Sequence, residues 1–99
     1  MALPQSMQHL FWSTHIQNLH PKTDAAYIIN QTLAYGTLED LRWLFHIYPK
    51  TVIVETFLNH PIKNYTPSAL HFAALLLGIS PKNIRHERYD NTLPRHIGS

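Results

Sequence analysis

No cysteine occurs in the 99 residues of this chain, which at once removes disulfide frameworks, thiolate zinc sites, iron–sulfur clusters and a cysteine nucleophile. Charge is scarce too: Asp, Glu, Lys and Arg make up 14% of the residues, against about 25% in ordinary soluble domains. Such a surface is either solvated by Asn, Gln, Thr, Ser and His or covered in part by a partner. Glycine is found only at Gly36, Gly78 and Gly98, too sparsely for a loop that cradles phosphate. Long hydrophobic runs are missing as well. The longest, residues 72–77, falls far short of the roughly 20 needed to cross a bilayer. Residues 1–12 have neither the basic start nor the apolar run of a signal peptide, so the expectation is a cytoplasmic chain with no membrane contact.

Apolar residues, by contrast, reach 44%, enough to bury a core within one domain. Helix signals dominate. Pro4 opens a short first helix to Trp12, burying Met7, Leu10 and Phe11. From Thr23 or Asp24 to Tyr35, Ala25, Ile28, Ile29, Thr32 and Leu33 recur at spacings of three and four, with Asn30 and Gln31 on the opposite side. Gly36 then reads as a left-handed stop, and Thr37 with Asp40 as a capping box for a helix whose stripe is Leu38, Leu41, Leu44, Phe45 and Tyr48. The junction is short, which makes these two helices neighbours.

Pro49 ends that stripe and starts a helix over residues 50–59. Its Val52, Ile53 and Val54 would suit a strand, but Glu55, Phe57 and Leu58 continue a helical pattern. Thr66 and Pro67 form an N-cap and first-turn pair, and Gly78 ends the helix they open. That helix is apolar on nearly every side, as expected of the central helix of a bundle. Ser80 and Pro81 add a turn reaching Ile84. The expected architecture is all-α, five or six short helices over residues 1–84, with residues 85–99 a flexible polar tail.

Eight histidines raise the question of a metal. Zinc on a helix wants two histidines four apart, a spacing absent here. In the nearest pattern, His86 to Asp90, an Asp stands where the second His would be. No cofactor or metal is therefore expected. His71 reads as a half-buried residue bonded between helices, and Ser68 as a backbone cap, so neither builds a catalytic pair and no enzyme is expected. Asp24, Glu39, Asp40 and Glu55 fall where they complement helix dipoles, which leaves no paired-carboxylate site.

The two helices on either side of residues 59–65 could form a helix-turn-helix. Thr66, Pro67 and Ser68 would offer hydroxyls and free N–H groups to phosphate, but the helix behind them shows bases only His71, where Arg, Lys, Asn or Gln is needed. Weak phosphate contact is left to Lys82, Arg85, Arg88 and Arg95. Among the aromatics, Trp12 at a helix end and Trp43 beside its stripe are the candidate anchors for a protein partner. With the basic Arg85, Arg88 and Arg95 of the tail, they make up the candidate binding residues.

At Leu10-Phe11-Trp12, at residues 35–41 from Tyr35-Gly36-Thr37 to Leu41, and from Leu58 through Thr66-Pro67-Ser68 to Gly78-Ile79, the chain resembles a family of small bacterial proteins commonly encoded beside abortive-infection toxins of nucleotidyltransferase type. The resemblance implies an antitoxin-like role, masking such a toxin by direct binding. Two departures stand out: Pro49-Lys50 where the family prefers glycine, and Thr66-Pro67-Ser68 where a basic residue is common. A DNA-binding transcriptional regulator is the alternative.

Overall fold

Six consecutive side chains of α1 (Ala25–Tyr35), from Ile28 to Leu33, are buried, so this helix is enclosed on all sides. In the computed structural model, which describes residues 3–12 and 14–90, α1 is packed by α2 (Leu38–Ile47), α3 (Lys50–Asn59) and α4 (Pro67–Leu77), each of which leans mainly on α1. A 3-10 segment, Gln5–Leu10, lies against α1 as well and inserts Met7, Leu10 and Phe11 into the core. The fold is all-α. Among the described residues the one β-type contact is an isolated parallel bridge between Tyr65 and Asp90.

The centre of the bundle is therefore α1 and not the more apolar α4. Asn30 and Gln31, expected to face outward, are buried because each has its polar atoms satisfied from another part of the chain. Asn30 Nδ2 donates to the carbonyls of Ala26 (2.8 Å) and His60 (2.9 Å), and Asn30 Oδ1 accepts from Tyr65 Oη at 2.7 Å. Gln31 Nε2 donates to Leu10 O at 2.7 Å, while its Oε1 accepts from Asn64 Nδ2 at 2.9 Å. Two side chains thus fasten α1 to the first 3-10 segment and to the loop before α4. A typical buried hydrogen bond adds only about 1 kcal/mol net, but leaving one of these groups unpaired costs about 1–3 kcal/mol. Register is what they enforce.

Local signals set most helix ends. Thr37 and Asp40 complete the capping box of α2, Thr66 Oγ1 accepts from Ala69 N at 3.2 Å with Pro67 in the first turn of α4, and Gly78 closes α4 with φ at 71°. Gly36 behaves differently. Its backbone is extended, at φ −73° and ψ 152°, and glycine is needed there for space: a Cβ would lie 2.5 Å from the Thr32 carbonyl oxygen and 3.1 Å from Asp40 Cβ. The first helix of the sequence reading is a 3-10 segment, and the turn after Ser80 is another, Pro81–Asn83.

Packing does not stop at Ile84, where the tail was expected to begin. Tyr89 is 2% exposed, donates its Oη to Phe57 O at 2.6 Å, and stacks in a cluster with Phe57 (4.8 Å) and Tyr65 (5.7 Å). Its own carbonyl accepts from Tyr65 N at 3.0 Å. A single large aromatic with a polar tip can anchor a segment that has no helical periodicity. The body accordingly includes residues 85–90, and the rest of the expected tail, 91–99, lies outside the described residues.

Candidate protein-interaction surface

No charged residue occurs in α4, and its sequence PSALHFAALLL is apolar nearly all round. Only part of it reaches the core. Leu70, Ala73, Ala74 and Leu77 are buried, whereas Leu75 is 64% and Phe72 43% exposed. Phe72 and Leu75, three residues apart, fall on one side of α4, with Leu76 beside them only partly buried. On α2, Leu38 is 73% exposed although it belongs to the expected inward stripe. Between the two helices lies a groove of about 520 Å³ lined by Leu38, Leu41, Arg42, Phe45, His46 and Leu76. Arg42 and His46 are the polar rim of an otherwise aliphatic and aromatic lining.

Two packing facts produce this surface. Because α2 and α4 both lean on α1, neither covers the other. Leu38 also stands one residue inside the N-terminus of α2, where Thr37 and Asp40 are held by the capping box. Asp40 is buried and accepts from the Thr37 N–H at 2.9 Å, while His9 Nε2 comes within 3.0 Å of the same carboxylate oxygen. The first 3-10 segment is thereby docked on the start of α2. This contact joins residues far apart in sequence, and no local pattern announces it.

Of the two tryptophans, Trp12 is 68% exposed and rests edge-on against Tyr35 at 5.2 Å. Trp43 is 39% exposed and meets His46 edge-on at 5.6 Å. Together with Glu39 and Arg42, those two line a second hollow, of about 270 Å³, on the outer face of α2. Arg85 and Arg88 are exposed after α4, with Arg88 Nη1 3.5 Å from Leu58 O. Arg95 lies outside the described residues. Trp43 thus belongs to the α2 surface, beside the α2–α4 groove, and Trp12 to a separate patch with Tyr35. Leu38, Phe72 and Leu75 were missed as surface residues.

His71 is exposed and not half-buried between helices, and Ser68 is exposed while Thr66 caps α4. Among the described residues no three His, Asp or Glu side chains converge as metal ligands would. No described helix is long and apolar enough to cross a membrane. The clearly perturbed groups are tyrosines. Tyr48, burying its ring and donating to Pro21 O, is raised to about 12 by burial and by the Asp24 charge. Burial likewise raises Tyr65 well above 10, with Tyr89 adding to the effect. Both hydroxyls are structural donors that would lose their bonds on ionising. A family model matches residues 7–57, and its description is a family of unknown function, DUF6922. The matched stretch holds α1, α2 and all but the last two residues of α3, leaving α4 beyond it. No curated protein and no solved structure matches the chain.

Proposed function

We propose, on the premise that this chain belongs to the family of unknown function DUF6922, that it is a protein-binding module with an antitoxin-like role. It has no catalytic part of its own. Its partner is a nucleotidyltransferase-like toxin, which it binds through the exposed side of α4 and the α2–α4 groove and masks by occlusion. The resemblance at residues 10–79 supplies the partner class. The surface reading is carried by one observation, the uncovered apolar side of an uncharged helix, because monomeric proteins rarely leave contiguous apolar area facing water. Leu38, Phe72 and Leu75 would be the anchors, Arg42 the charge at the rim, and Arg85, Arg88 and Arg95 a basic flank that speeds encounter with an acidic surface. We place the module in the cytoplasm.

The helix-turn-helix alternative has less behind it. Helices α3 and α4 lean on α1 more than on each other, and the exposed side of α4 offers Phe72 and Leu75 where a recognition helix carries hydrogen-bonding side chains. Contact of Arg85, Arg88 and Arg95 with nucleic acid would be weak and salt-sensitive.

Purification of the native chain from its host should bring down a nucleotidyltransferase-like enzyme in stoichiometric amount, and adding the pure chain should inhibit that enzyme. Leu75→Gln should leave folding stability within about 0.5 kcal/mol yet weaken binding by about tenfold or more, as loss of an interface anchor does. An enzyme that is indifferent to the chain would sink the reading. Undiminished binding by Leu75→Gln would move the contact away from α4.

A further inference from the structure

On the outer face of α2, Glu39, Arg42, Trp43 and His46 stand at intervals of three, one and three residues and surround the hollow of about 270 Å³. Four side chains at such spacing are the frame of a hole that receives one knob from a facing helix. Glu39 lies in the first turn of α2 and His46 in the last. A parallel copy of the helix would set Glu39 against Glu39 and Arg42 against Arg42, which repels. An antiparallel copy does the reverse. With the twofold axis midway between residues 42 and 43, Glu39 comes level with His46 of the second copy, and Arg42 with its Trp43. Both contacts are favourable, one between an acid and an imidazole, the other between a guanidinium and an indole face.

We infer that a second copy of this chain docks on the outer face of α2, the two helices antiparallel about a twofold axis, with Trp43 of each copy seated in the hollow of the other. The charge order along the helix selects this occupant, because a twofold contact needs one surface complementary to itself. Glu39 early and His46 late also suit the dipole of α2 alone, but that accounts for neither the hollow nor the half-exposed Trp43 beside it. Trp43 is already held edge-on by His46 at 5.6 Å and 87°, so its ordering cost on docking is reduced. Leu38, 73% exposed at the start of α2, flanks the seam and adds apolar contact. A helix of ten residues spans only about 15 Å, so the dimer is small and concentration-dependent. Arg42 and His46 also line the α2–α4 groove, so the second copy would compete with the proposed partner at α2 while the exposed Phe72 and Leu75 of α4 stay open; self-association of the pure chain tests the dimer without reference to that partner.

Sedimentation velocity of the full chain from about 10 μM to about 1 mM is the test. A monomer–dimer equilibrium is expected, weakened about tenfold or more by Glu39→Lys and by Trp43→Ala. Exchanging the pair, with Glu39→His and His46→Glu in one chain, should recover much of the loss, which a merely misfolded variant would not. Circular dichroism of each variant should match the parent. A chain that stays monomeric at the highest concentration overturns the inference, as does a dimer unaffected by Glu39→Lys and Trp43→Ala.

Discussion

Helices α1 and α4 are both eleven residues long, yet they occupy the places that their compositions would assign the other way round. The one bearing Asn30, Gln31 and Thr32 is enclosed, while the nearly all-apolar one keeps Leu75 and Phe72 in solvent. Hydrophobicity sets how much a helix gains from burial, but the neighbours decide which helix receives it. α1 has a helix or loop on every side and a bonded partner for each buried amide. α4 comes last of the four and has only α1 as a principal neighbour.

The largest way to break this arrangement is to remove what holds the partners of α1. Ending the chain after Ile84 deletes Tyr89, and with it the ring against Phe57 and the carbonyl that receives Tyr65 N. Loss of a buried large aromatic costs about 3–5 kcal/mol, so urea unfolding should show a marginal or unfolded chain. An unchanged midpoint would return residues 85–90 to the tail.

Next comes Asn30→Leu, which keeps a similar volume but leaves the Tyr65 hydroxyl and the His60 carbonyl without the partner they have now. A loss of about 3 kcal/mol is expected, visible as a thermal midpoint lowered by more than about 10 °C. Were the substitution neutral, the polar contacts would not be what centres α1.

The ends of the two helices offer a finer contrast. Gly36→Ala forces a Cβ to 2.5 Å from the Thr32 carbonyl and should cost about 2 kcal/mol as the junction of α1 and α2 spreads. Gly78→Ala meets nothing within 4 Å and suffers only the left-handed backbone, about 1 kcal/mol. Denaturation curves with the order reversed would show that the α1–α2 junction yields more easily than its contacts suggest.

The smallest effect appears only in alkali. Tyr65 has its folded pKa raised above 10, so the neutral ring contributes stability fully present below pH 10 and lost as pH rises through the folded value. Tyr48, raised to about 12, acts in the same direction. Phenolate absorbance should therefore appear late and together with unfolding, and Tyr65→Phe should flatten the decline in stability above about pH 10. A Tyr65 that titrates near 10 without unfolding would mean that its bond to Asn30 opens freely.

Much of this molecule was readable from short-range chemistry. Thr37 with Asp40, Thr66 with Pro67, and Gly78 set helix ends through contacts three or four residues long, and the period of the apolar residues set the all-α class. Periodicity also carries an error, since it assigned Asn30 and Gln31 to solvent on type alone. Their partners Tyr65, Asn64, His60 and Leu10 lie at least 21 residues away in sequence, beyond any local pattern. Trp12 and Trp43 could be singled out as candidate anchors, yet Leu38, Phe72 and Leu75 could not, because a leucine in an apolar stripe reads as core whether or not a neighbour arrives to cover it.

Sequence by itself determined where α1 to α4 start and stop, because capping and backbone preference act within one turn. Tertiary structure alone decided which helix sits at the centre, that Tyr89 closes the core, and which apolar side remains open. Those outcomes depend on hydrogen bonds and packing between segments that meet only when the chain is folded, which among the described residues gather on α1 and leave one side of α4 uncovered.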